Sequence, residues 1–150
     1  MISNLLFKAT IFVAISSGFC YNLSFSQTQV GNDIFGQEQD RLGQVTKLSG
    51  DGTHVVSGTY DFGSDTGLVV VHSLIGSTWT MIGDTLYGQD DEQFFGRSVD
   101  ITEDGNTIIV GASGNLNMSS IEGSVYVYDY NGTNWVQRGS TLFGDEIAST

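Results

Sequence analysis

Two stretches of the chain carry the same order of apolar and polar positions. The run Phe95-Gly96-Arg97-Ser98-Val99-Asp100-Ile101, its turn at Asp104-Gly105 and the return Thr107-Ile108-Ile109-Val110-Gly111 echo residues 42–58. There, Leu42-Gly43 opens the run, Asp51-Gly52 makes the turn and Val55-Val56-Ser57-Gly58 closes it. The spacing is 53 residues, as Gly96 stands to Gly43. A second block recurs at 56 residues, pairing Gly67 with Gly123, Trp79 with Trp135 and Gly83 with Gly139. Self-similarity at about 50 residues is the mark of a solenoid, a propeller or an array.

Each copy reads as four short strands. In the second they span residues 96–102, 106–112, 123–130 and 134–139; in the first, 43–49, 53–58, 67–73 and 78–83. Asp104-Gly105, Asp51-Gly52 and Asn131-Gly132 are hairpin signals, because glycine accepts the positive φ such turns require. The Thr107-Ile108-Ile109-Val110 run is β-branched and suits a strand covered on both faces. Val125 and Val127 alternate with Tyr126 and Tyr128. The expected fold class is all-β: four-stranded antiparallel blades of an incomplete β-propeller. The chain holds about two blades, residues 30–82 and 83–138, and the opening of a third over 139–150. Residues 29–31 align with 81–83, so the chain is expected to begin on an outer strand that completes a last blade.

Residues 1–26 read as a secretory signal, leaving 27–150 as the propeller segment. Lys8 is followed by an apolar run over 9–19, shorter than the roughly 20 residues a membrane-spanning helix needs. Ser24 and Ser26 stand at the small-residue positions of a cleavage site. Cys20 is the only cysteine and would leave with the leader, so neither a disulfide framework nor a thiol nucleophile is expected. The chain has 20 glycines and no proline, in keeping with a β protein rich in tight turns. Its net charge of −12 becomes −13 without Lys8. Such a surface repels nucleic acid and anionic lipid, and no stable membrane span is expected after the signal is removed.

Phe95-Gly96 followed by Val110-Gly111-Ala112-Ser113 resembles the FG-GAP repeat, named for those two motifs. Gly123-Ser124-Val125-Tyr126-Val127-Tyr128 is similar to the third strand of its secreted bacterial form, and Trp79 to Gly83 and Trp135 to Gly139 fit its Trp-x-x-x-Gly pattern. The first copy departs from the pattern, with Leu42-Gly43 and Ser57-Gly58-Thr59. The resemblance, to a repeat shared with integrin α-subunits, implies a β-propeller, an extracellular or cell-surface location, and binding or adhesion in place of catalysis. Many such repeats hold calcium between their first two strands. Here only Asp100, Thr102 and Asp104 alternate in that turn, short of calcium's about six to eight oxygens. No metal or cofactor is therefore assigned.

The remaining chemistry is sparse. His54 and His72 align with Thr107 and Tyr128, and neither has a sequence-adjacent nucleophile, so a packing role is expected and the chain reads as a non-enzyme. Trp79 and Trp135 recur at one repeat position and are assigned to packing between blades. Asn117-Met118-Ser119 and Asn131-Gly132-Thr133 are glycosylation sequons, relevant only in a eukaryotic secretory pathway. In an up-and-down blade the long connections, 59–66, 84–95 and 113–122, share one edge. Binding residues concentrate on such loops. This edge carries Asp61, Asp65, Asp90, Asp91 and Glu92, which nominates it for a cationic or cation-bridged partner, an extracellular protein or glycan. Two other roles are compatible with the same residues: an accessory propeller module of a longer secreted enzyme, or a structural extracellular array.

Overall fold

The computed structural model describes residues 28–38, 40–114 and 123–144. The leader at 1–26, most of the 113–122 connection with the Asn117 sequon, and the residues after Gly144 lie outside them. The described chain is all-β. Strands β1 (Val45–Leu48), β2 (His54–Thr59), β3 (Leu68–Ile75), β4 (Thr78–Met81) and β5 (Leu86–Tyr87) form the first sheet. Strands β6 (Phe95–Ile101), β7 (Thr107–Ala112), β8 (Ser124–Tyr130), β9 (Trp135–Gln137) and β10 (Leu142–Phe143) form the second. Both sheets are antiparallel; β1 to β4 and β6 to β9 each lie beside their neighbours in sequence, while β5 pairs with β3 and β10 with β8. The turn residues set the register. Leu48 faces Val55 across the Asp51-Gly52 turn, and Ile101 faces Ile108 across Asp104-Gly105.

The outer strand of each sheet is longer than its sequence pattern suggests. β4 pairs with the end of β3 at His72–Ile75, and β5 pairs with its start at Leu68–Val69. Between them the chain bulges at Gly83 (φ 68°) and rejoins the ladder. β9 and β10 repeat this against β8. The sequence reading placed residues 84–95 wholly in a loop; in the fold, Leu86–Tyr87 is paired and the connection is only 88–94. The expected boundary at 139 lies between β9 and β10, both of which pair with β8.

The sheets pack face to face. Val56, Val69 and Val71 from the first meet Phe95, Val99, Ile108, Val110, Ala112, Tyr126, Tyr128 and Trp135 from the second. Phe95 lies edge-on to Tyr126 at 5.4 Å, and Tyr126 stacks on Tyr128 at 6.3 Å. Burying Phe95 fully is worth about 2–3 kcal/mol. The expectation that the 107–110 strand is covered on both faces holds for one face only. Ile108 is 0% exposed against the first sheet, while Ile109 points the other way and is 44% exposed.

Candidate functional site

The long connections converge at one edge of the pair of sheets. The 60–67 connection joins β2 to β3, and the 88–94 connection joins β5 to β6. They are stitched together by main-chain hydrogen bonds: Glu92 N–H to Ser64 C=O (2.9 Å), Phe94 N–H to Asp65 C=O (2.8 Å) and Phe95 N–H to Thr66 C=O (3.1 Å). Gly67 and Phe95 form a parallel bridge there. Only glycine fits at position 67, since a Cβ would stand 2.0 Å from the Phe95 carbonyl oxygen. The third connection starts at the same place, with Gly114 N–H bonded to Gln93 C=O (3.1 Å). Ser64, Asp65, Glu92 and Phe94 all take positive φ, a cost the stitched backbone offsets.

The five carboxylates nominated from sequence divide over this edge. Asp90 and Asp91 are exposed on the second connection, and Asp91 accepts a hydrogen bond from the Thr66 hydroxyl (3.3 Å). Glu92 and Asp65 are half-buried where the two connections join. Asp61 is set apart. It forms an ion pair with Arg41, and its Oδ1 is buried without a hydrogen-bond partner.

Four further residues on this edge were not visible in the sequence. The β6–β7 pairing shifts register between Phe95 and Ser98, a bulge carried by Gly96 at φ 85°. The bulge aims Arg97 outward, over the rings of Tyr60 (5.4 Å) and Phe94 (5.9 Å). The rings themselves meet edge to face at 6.4 Å. Below them, Gln93 accepts from the Gln89 N–H (2.7 Å) and donates to the Tyr126 hydroxyl (2.6 Å). That buried bond fixes the base of the second connection to the core. No local pattern marks these residues, because a bulge and a contact between loops leave no periodicity behind.

The opposite edge holds the short turns. Asp104 accepts the Thr102 hydroxyl (2.6 Å) and the Asn106 N–H (3.1 Å). These bonds, that of Thr102 foremost, hold its pKa down to about 2. Asp51 is held low in the same way by Ser49 and Thr53. Both carboxylates thus serve the donors of their own turns, and Asp100 accepts the neighbouring Ile101 N–H. Among the described residues, no group of three or more His, Cys, Asp or Glu side chains could hold a metal ion.

His54 shares a hydrogen bond with Thr53 Oγ1 (2.8 Å) and sits where a Cβ on Gly105 would be, so it packs one turn on the next. His72 lies on the other face of the first sheet, beside a pocket of about 110 Å³ that Asp40, Leu42, Val70 and Met81 help to line. Burial pushes its pKa below the ordinary 6.5, and its Nδ1 has no hydrogen-bond partner. Among the described residues, no helix is long and apolar enough to cross a membrane.

Compared with known families, residues 88–128 match the model of the FG-GAP repeat. The match covers the 88–94 connection, β6, β7 and most of β8. No curated protein matches the chain.

Proposed function

We propose that this chain, an FG-GAP repeat protein by residues 88–128, is a non-catalytic binding module of a secreted or cell-surface protein. It engages an extracellular protein or glycan through the edge where its long connections meet. One observation carries this reading: the 60–67 and 88–94 connections are locked together by main-chain hydrogen bonds, and Gly114 joins them through Gln93. A locked edge presents its side chains with little ordering cost on binding. The joined connections carry Asp65, Asp90, Asp91 and Glu92 as well as Tyr60 and Phe94, over which Arg97 lies, so the edge offers carboxylates, a guanidinium and two rings. Peptides with basic side chains and sugars with hydroxyls and apolar ring faces are matched by that combination.

The test is a screen of the chain against immobilised extracellular proteins and a glycan array, repeated with Asp90→Asn and Arg97→Ala. The expected result is at least a tenfold loss of binding for both variants, with melting temperatures near that of the parent. Binding that survives both variants but is lost on changing the short turns at Asp51 and Asp104 would move the site to the other edge.

A further inference from the structure

One face of the first sheet is turned away from the second. Leu68, Val70 and His72 of β3 point to it, since Val69 and Val71 between them are sealed in the core. Phe35, Asp40 and Leu42 lie against that face and help to enclose the pocket of about 110 Å³ beside His72. The second unit holds a counterpart of this place. Val70, opposite Ser57, stands where Tyr126 stands opposite Val110. The covering turn repeats as well. Gln89 N–H donates to Gln93 Oε1 (2.7 Å), and Gln37 N–H donates to Asp40 Oδ2 (2.5 Å). Glycine precedes both donors: a Cβ on Gly88 would lie 2.7 Å from Gln93 Oε1, and one on Gly36 would lie 2.0 Å from Asp40 Oδ1.

The two places are filled differently. In the second unit the Tyr126 ring is buried there, and its hydroxyl accepts from the Gln93 amide (2.6 Å). In the first, valine stands for the tyrosine and a carboxylate for the amide, and both line the pocket. Asp40 is only 8% exposed. It accepts the Gln37 and Leu42 N–H groups, but among the described residues no Lys, Arg or His side chain pairs with it. A buried carboxylate without a counter-ion is costly. His72 adds a second acceptor, since its Nδ1 is buried without a hydrogen-bond partner and burial favours the neutral ring. The rings of Phe35, Phe62 and Tyr87 line the pocket too, those of Phe62 and Tyr87 at 6.1 Å. Phe35 and Tyr87 are exposed, so the pocket opens to solvent.

We infer that this pocket binds a small organic ammonium ion with a compact aromatic body. The Asp40 carboxylate takes the charge, and His72 Nδ1 accepts one of the remaining N–H groups. The body takes the space that the Tyr126 ring takes in the second unit, among ring faces that themselves attract a cation. A closed cavity of roughly 150 Å³ holds a benzene molecule, so a pocket of this size that is open on one side admits a single ring. None of Asp61, Asp65, Asp90, Asp91 and Glu92 lines the pocket, which separates this site from the edge proposed for a protein or glycan.

The test titrates the chain at physiological salt with benzylammonium and with its neutral analogue, benzyl alcohol, followed by NMR. The expected result is saturable binding of benzylammonium, at least about tenfold tighter than benzyl alcohol, with the largest shifts at Val70 and His72. Asp40→Asn should remove that preference, and Asp90→Asn should leave it intact. Val70→Tyr should fill the pocket as Tyr126 fills its counterpart, and abolish binding. Equal binding of the two compounds, or no saturable binding, overturns the inference. So do shifts centred on Asp90, Asp91 and Glu92, which would mark a general attraction of cations to an acidic chain. Binding that survives Val70→Tyr in a folded variant overturns it as well. Should that variant not fold, the Asp40→Asn comparison and the position of the shifts decide.

Discussion

Gly58 of the first sheet and Gly96 of the second meet backbone to backbone: a methyl group on Gly58 would lie 2.3 Å from the Gly96 carbonyl oxygen. This approach lets the β6 bulge nest against β2, and with it the edge that carries Arg97. Gly58→Ala should therefore force the sheets apart at a cost of about 1–3 kcal/mol, the range for overpacking a tight contact. Gly111 holds the same place in the second sheet, but there a methyl group would meet the Ser98 hydroxyl at 2.2 Å, a side chain able to rotate away. Gly111→Ala should cost under about 1 kcal/mol. Urea unfolding of the two variants checks this, and equal costs would contradict the close approach.

Gly83 and Gly139 make a second contrast. Gly83→Ala combines a left-handed backbone with a contact on the Trp135 ring, whereas Gly139→Ala meets only the backbone penalty, about 1–2 kcal/mol. Gly83→Ala should be the more destabilising by at least about 1 kcal/mol. Trp135→Phe keeps an aromatic ring but leaves the Ile82 carbonyl without its indole donor, which costs about 1–3 kcal/mol. Thermal melts of the three variants order them, and a Gly139→Ala variant as damaged as Gly83→Ala would argue against the ring contact.

Acid should unfold the chain partly through its turns. The Asp104 pKa is near 2 in the folded chain and 3.8 in the unfolded one, so the unfolded state takes up its proton first as pH falls. The stability this supplies is complete above pH 3.8 and is lost as pH falls through about 2. Asp104→Asn keeps an acceptor oxygen and removes the titration. Its stability should change less steeply over that interval, as read from urea midpoints at a series of pH values. An acid limb identical to the parent's would show that this turn does not contribute.

His72 sets a separate pH window. Its folded pKa lies below the ordinary 6.5 because burial disfavours the imidazolium. The unfolded chain again binds the proton more readily, so stability should fall as pH drops below 6.5 and level off beneath the folded pKa. His72→Gln should flatten that step. NMR titration of the imidazole gives the folded pKa directly, and a value at or above 6.5 would refute the burial argument.

Much of the fold was legible in the chain because its signals are local. Asp51-Gly52 and Asp104-Gly105 each announce a hairpin, and the β-branched runs beside them announce the strands. The recurrence of Trp79 at Trp135 announces repeated units. The candidate edge was legible only as a set of loops. Its carboxylates could be named, but the withdrawal of Asp61 toward Arg41 and the arrival of Arg97 over Tyr60 and Phe94 could not. The first depends on a contact across 20 residues, and the second on the bulge at Gly96 and Arg97. The return of Leu86–Tyr87 to the first sheet was hidden for a similar reason, since two residues ahead of Gly88 form too short a pattern to read as a strand.

The four main strands of each unit, their turns and the repetition of the unit are written in the chain itself. All of these follow from side-chain alternation and backbone preferences within a few residues. Only the tertiary structure decided which faces are covered. Ile108 and Ile109 are adjacent, chemically identical and equally suited to a strand, yet one is sealed against the first sheet and the other faces outward. Burial depends on which surface arrives opposite, and that is a property of the packed sheets.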